Sequence, residues 1–139
     1  MLASALLLGL ALQSATADER PTADDLELAL FEPQIRAAAN SRQHSDLIKL
    51  VDLPLRVNTG GPTARTRYYH TVKSIERDFP RIFTAEIIRA LQAGKYEISG
   101  FGKGMIGVGD VWFGRPCHAK VCYPEGPGHF RIMVINQSD

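Results

Sequence analysis

The sequence predicts an α+β domain in which N-terminal helices pack on a curved, mainly antiparallel sheet. Three observations carry that prediction. Apolar residues recur at helical spacing through the first half of the chain, with Leu26, Leu30 and Ile35 followed later by Phe83, Ile87 and Leu91. From Tyr96 onward the apolar period changes to two. The strongest turn signal, Asn58-Thr-Gly-Gly-Pro62, interrupts the first regime, and a glycine series at 100, 102, 104, 107 and 109 punctuates the second.

The chain opens on an uncharged Leu- and Ala-rich run, residues 2–12, followed by Ser14-Ala15-Thr16-Ala17 and the charged Asp18-Glu19-Arg20. Such a run is shorter than the roughly 20 residues that span a bilayer, and the Ala15-x-Ala17 pattern fits a secretory cleavage site. Residues 1–17 are therefore read as a signal peptide, 18–23 as a flexible lead-in and 24–139 as a single domain. The expected location is periplasmic or secreted, with no membrane span in the mature form.

A helix is expected from Asp24 to about Arg42, with Pro33 beginning or kinking a turn. Ser45-Asp46 reads as the cap of a short helix carrying Leu47, Leu50 and Val51. Leu53, Leu55 and Val57 alternate with Pro54 and Arg56, which predicts a strand, and Pro54 favours an edge position. Arg65 to His70 is a second short strand. Helical pattern returns at Ser74–Phe79 and, beyond Pro80, from Thr84 to Ala93, where Gly94 provides a stop. Met105 to Phe113 is expected to be one strand, with Ile106, Val108, Asp110 and Trp112 on one face. Phe130 to Asn136 repeats the alternation, with Phe130, Ile132 and Val134 on one side.

Composition excludes several classes. The chain has 139 residues, 45% hydrophobic and 22% charged, which excludes a fibrous or wholly disordered protein. A net charge of +1 gives no long-range attraction to polyanions and argues against nucleic acid as a partner. Gly102-Lys-Gly104-Met-Ile-Gly107 matches the letters of a dinucleotide fingerprint, yet strand rather than helix follows it, so no cofactor is expected. Cys117 and Cys122, in an exported chain, suit a disulfide across a hairpin. Free or dimer-forming thiols, and a metal held by Cys117, His118 and Cys122, are the rival readings. The spacing lacks the usual C-x-x-C pair, so no metal is assigned.

Asp110 is the residue with the most chemistry to offer. On a face with Ile106, Val108 and Trp112, its carboxylate must be paired, neutralised or open to a pocket. A structural ion pair with an arginine such as Arg56 is the preferred reading, and a general base or polar anchor is the alternative. His70 and Tyr69 are the accompanying weak catalytic candidates, but no Ser or Cys nucleophile stands at a recognisable elbow. Arg56, Tyr69, Tyr96, Asp110 and Trp112 are the candidate binding residues. Residues 50–93 carry 7 basic and 4 acidic side chains, among them Arg65, Arg67, Lys73, Arg77 and Arg81. That excess is either a patch for an anionic ligand or a solvated surface balanced by the acidic first helix.

At Leu53-Pro-Leu-Arg-Val-Asn58, Arg81-Ile-Phe-Thr84, Gly104-Met-Ile-Gly-Val-Gly-Asp-Val-Trp-Phe113 and Ile132-Met-Val-Ile-Asn136, the chain resembles a group of small exported bacterial proteins, most of them uncharacterised. The likeness runs from about Phe31 to Asn136. The order of helices and strands is similar to the nuclear-transport-factor-two-like superfamily, of the cystatin-like class. That resemblance implies a sheet wrapped on helices around a cavity, used by relatives for isomerisation, dehydration, small-ligand binding or dimerisation. Steroid isomerases of that superfamily use an Asp base with a Tyr and a protonated Asp, and only Asp110 and the tyrosines could take such roles here. The expected function is an exported, non-enzymatic binding or protein-interaction domain, its partner a small ligand, an envelope protein or a second copy in a homodimer. A small isomerase- or lyase-type pocket enzyme using Asp110 is the alternative, and an immunity protein against a secreted toxin is the third reading.

Overall fold

The computed structural model describes residues 20–60, 62–117 and 129–138. The expected signal peptide, residues 1–17, lies outside the described residues. So do His118 and Cys122, and with them the expected disulfide.

Helix α1 spans Ala23–Asn40 and starts on a reciprocal cap. Thr22 Oγ accepts from the Asp25 amide at 3.1 Å, while the Asp25 carboxylate accepts from the Thr22 amide at 2.8 Å. Those bonds satisfy two orphan amides of the first turn and hold the Asp25 carboxyl below its ordinary range. Pro33 lies inside the helix, which continues to Asn40. Phe31, Ile35, Ala38 and Ala39 form its buried stripe. Helix α2 (His44–Ile48) turns Leu47 and Ile48 inward.

Strand β1 (Val51–Thr59) pairs antiparallel with β2 (Arg65–Tyr69) and parallel with β6 (Arg131–Gln137). It is thus an interior strand, contrary to the edge position that Pro54 favoured. The ladder accommodates the proline because pairing lapses there: β6 meets Val51 and resumes at Arg56, and β2 begins opposite Leu55. Helix α3 (Val72–Ile82) carries Pro80 within its last turn instead of ending before it. Helix α4 (Ala85–Ala93) is capped by Thr84, whose hydroxyl accepts from the Ile87 amide. Gly94 closes it, since a Cβ there would lie 2.4 Å from the Ala90 carbonyl oxygen. The expected stripe is the buried one: Phe83, Ile87 and Leu91 are all inside.

The glycine series divides the expected single strand. β3 (Tyr96–Gly100), β4 (Lys103–Ile106) and β5 (Val111–Gly114) run antiparallel in succession. Gly107 and Gly109 have φ of 69° and 80°, so residues 107–110 turn the chain back and Ile106 pairs with Val111. Val108 stands fully exposed at the tip. An alternating pattern cannot distinguish one long strand from two short ones when the residues of the turn keep the period.

The sheet order is β2-β1-β6-β5-β4-β3, with four antiparallel pairings and one parallel. Helices pack on one face. Val51, Leu55, Val57, Tyr69, Tyr96, Ile106, Val111, Phe113, Ile132 and Ile135 supply the strands' buried side chains. Phe31 of α1 meets Phe113 and Phe130 at ring-centroid distances of 5.0 and 5.8 Å. A bulge between Trp112 and Phe113 shifts the alternation of β6, so Ile135 and not Val134 is buried with Ile132.

Candidate basic cleft between a strand end and a helix start

Strand β2 and helix α3 are joined by only His70 and Thr71, and this short connection builds a polar concavity. The cleft has a volume of about 430 Å³ and is lined by Arg67, Tyr68, Tyr69, His70, Thr71, Ser74, Arg77 and Asp78. Alternation along β2 decides who does what. Tyr69 turns inward and is buried, opposite Leu55, whereas Tyr68 turns outward and is 54% exposed. The rings of Tyr68 and His70 lie 6.5 Å apart on the same rim.

Helix α3 contributes the other wall. Thr71 caps it, accepting from the Ser74 amide at 3.1 Å, and Ser74 Oγ donates to the Thr71 carbonyl at 2.7 Å. The buried Tyr69 hydroxyl donates to Asp78 Oδ2 at 3.1 Å, locking strand end to helix. Arg77 Nε donates to Asp78 Oδ1 at 3.1 Å. The Arg77 guanidinium, helped by the Tyr69 hydroxyl, holds the Asp78 carboxyl below its ordinary range, and Asp78 in turn raises Arg77. Arg67 makes no ion pair among the described residues and stays open at the edge of the sheet. A cleft with two guanidiniums, one carboxylate, a histidine, two hydroxyls and an aromatic rim can hold a small anion beside a planar group.

A second concavity, of about 290 Å³, lies among the helices between α1, α2 and α3. Ala38, Ala39, Leu47, Phe79 and Phe83 make it apolar, and the His44 ring stacks on Phe79 at 3.7 Å. Neither His44 nor the hydroxyl pair of Thr71 and Ser74 stood out in the sequence. The Thr71–Ser74 pair had a readable signal, a threonine three residues before a serine at a helix start.

The sequence-predicted residues disperse. Of the catalytic and binding candidates only Tyr69 and His70 reach the cleft, where Arg67 and Arg77 of the basic run join them. Asp110 sits in the turn between β4 and β5, where its Oδ2 accepts from the Val108 amide at 3.2 Å, and it lines neither of these concavities. Its expected partner is engaged elsewhere: Arg56 Nε donates to Asn58 Oδ1 at 3.0 Å. The Asp110 carboxylate does turn work instead, and a Cβ at Gly107 would come within 2.1 Å of it. Trp112 lies on the sheet face away from the helices and is half-buried. Tyr96 is buried at the opposite end of the sheet from β2; its hydroxyl donates to the Leu91 carbonyl at 2.7 Å, and burial drives its phenol pKa well above the ordinary range. Among the described residues no group of His, Cys, Asp and Glu could hold a metal ion, and no helix is long and apolar enough to cross a membrane.

No family model, no curated protein and no solved structure matches the chain.

Proposed function

We propose that the protein is an exported, non-enzymatic binding domain of the nuclear-transport-factor-two-like kind, and that the cleft between β2 and α3 takes a small anionic ligand. The observation that carries the reading is the convergence of Arg67, His70 and Arg77 on one concavity with a single carboxylate, Asp78. The described order, two helices, a strand pair, two more helices and four further strands of the same mixed sheet, is what supports the superfamily reading. Export and a Cys117–Cys122 bond belong to the same proposal, resting on the leader pattern and the cysteine spacing. The enzyme alternative draws no support from Asp110, whose carboxylate is held by a turn amide outside any described concavity.

Sulfate and benzoate are suitable probes, because one tests charge alone and the other charge with a planar ring. Titrated into isotope-labelled protein, both are expected to shift amides between Arg67 and Asp78, with benzoate the stronger. Arg67→Ala should weaken sulfate binding by about tenfold. Shifts confined to other regions, or unchanged affinity in Arg67→Ala, would remove the cleft as the site.

A further inference from the structure

The cleft opens onto the free edge of the sheet, and the backbone there is as informative as the side chains. β2 is the outermost strand on its side, paired with β1 alone through an unbroken register from Leu55–Tyr69 to Thr59–Arg65. Which of its backbone groups are spent follows from β1. The Gly60 amide donates to the Gln137 carbonyl on β6, so Asn58 and Arg56, two and four residues back, also point toward β6. Leu55, Val57 and Thr59 therefore bond β2, and their partners Tyr69, Arg67 and Arg65 are the residues whose amides and carbonyls are used. Thr66 and Tyr68 point the other way. Each leaves an amide and a carbonyl without a backbone partner among the described residues. The opposite edge is not equivalent, because β3 loses its register between Ile98 and Gly100.

The side chains of β2 sort by face. Arg65 and Arg67 share the helix side with the buried Tyr69, and Arg67 lines the cleft; Thr66 and Tyr68 take the open side. Residues 56–81 carry six basic side chains and two acidic ones. Of the acids, Asp78 is engaged by Tyr69 and Arg77. Glu76 stands two residues from both Ser74 and Asp78, on the far side of α3 from them. Such an edge rejects another β2, since two copies paired antiparallel about its middle would set arginine against arginine. It fits a strand with acids at alternate positions.

We propose that β2 takes an extended acidic segment of a partner protein as an added antiparallel strand, with one carboxylate of that segment seated in the cleft. Resting on the reading of the cleft as an anion site, this pairing names the molecule that carries the anion. Two residues of the segment exchange both backbone bonds with Thr66 and Tyr68. The residue between them stands opposite Arg67 in a non-hydrogen-bonded pair, where side chains approach most closely. Its carboxylate meets Arg67 on the helix side and reaches toward Arg77. The flanking residues lie beside Thr66 and Tyr68, where β-branched or aromatic side chains pack best. Edge addition of this kind draws affinity from the main chain and selectivity from alternate side chains.

The probe is acetyl-Glu-Val-Glu-Val-Glu-amide, titrated into the full chain by calorimetry. With its central glutamate opposite Arg67, its valine amides face β2 and its glutamate amides face solvent. N-methylation of both valines should weaken binding by about tenfold or more, whereas N-methylation of the last two glutamates should change it by less than about threefold. The lysine counterpart, acetyl-Lys-Val-Lys-Val-Lys-amide, should bind at least about tenfold more weakly. Bound peptide should also slow hydrogen exchange of the Thr66 and Tyr68 amides by about tenfold or more, a readout that needs no variant to fold. Equal weakening by the two methylations, or unchanged exchange at both amides, would overturn the added strand; sulfate that still shifts the amides between Arg67 and Asp78 would then leave the anion site standing. Loss of both peptide and sulfate binding would remove the site itself.

Discussion

Two arginine sites on this molecule show opposite uses of the same side chain. Arg36, projecting from α1, is consumed by the fold. Its Nε and Nη2 bond Glu32 one turn away, Nη2 donates to the Gly94 carbonyl at 3.0 Å, and Nη1 reaches the carbonyls of Gln92 and, at 3.5 Å, Leu91. Its guanidinium also lies 4.6 Å over the Tyr96 ring. One cation therefore closes the C-terminus of α4, where unsatisfied carbonyls concentrate negative charge, and ties it to α1 and β3. Arg67, at the other edge of the sheet, is part of no ion pair among the described residues and borders an open cleft. Charge that the fold has already used stabilises, and charge it leaves open is available to a ligand.

Removing Arg36 should have the largest effect. Arg36→Ala strips three carbonyls of a donor and uncovers the Tyr96 ring, and it should lower unfolding free energy by about 2–3 kcal/mol. Arg67→Ala should change it by less than about 0.5 kcal/mol, the ordinary range for a surface substitution. Urea denaturation of both variants beside the parent measures the contrast directly. Equal losses would mean that the cleft arginine is as structural as its counterpart.

Tyr96→Phe sharpens the same contrast from the other partner. It loses the hydroxyl bond to the Leu91 carbonyl but keeps the ring beneath Arg36, so a loss of about 1 kcal/mol is expected. The sign of its pH dependence follows from burial. The folded-state pKa of Tyr96 is raised above the unfolded value near 10, so the neutral phenol's contribution is complete below that pH. It is lost progressively as pH climbs from about 10 toward the folded-state value, and the Phe variant should lack that alkaline decline. Unfolding curves between pH 8 and 11 that fall equally in both proteins would assign the decline to other groups.

The contrast also explains which parts of the molecule could be read from sequence. The stripe and caps of α4 were legible because they are local: Thr84 with its turn, Gly94 as a stop, and Phe83, Ile87 and Leu91 on one side are all set within a dozen residues. By contrast, Leu26 and Leu30, expected on the apolar stripe of α1, are exposed, and Gln43, not Ser45-Asp46, stands at the cap of α2. The Arg36 node was not legible, because beyond the local Glu32 its partners lie 55 to 58 residues away and are backbone carbonyls, which carry no residue signature. Asp110 was misplaced for a related reason. Val108 keeps the period of two while standing at the tip of a turn, so the acid looked buried when it was closing a loop. The basic run after Arg65 was visible, but its cleft depends on Asp78 reaching back to Tyr69 across nine residues, a contact only the two-residue connection brings about.

Asp78 yields the smallest and most discriminating prediction. It is the one carboxylate lining the cleft, and Arg77 and the Tyr69 hydroxyl both favour its charged form. Its pKa is lowered in the folded state, so its contribution to stability is present above the ordinary carboxylate range and is lost as pH falls through the depressed folded-state value. The same protonation removes a negative charge from the cleft. Sulfate, which keeps its charge through this range, should therefore bind more tightly to the parent as pH drops. Asp78→Asn, which carries no charge at any pH, should bind sulfate about two- to threefold more tightly at neutral pH and lose that part of the acid-side gain. Calorimetric titrations of parent and variant at neutral and acidic pH measure both. If the variant binds sulfate no better at neutral pH, Asp78 does not face the bound anion, and Arg77, paired with it as Arg36 is with Glu32, stands apart from the anion as well.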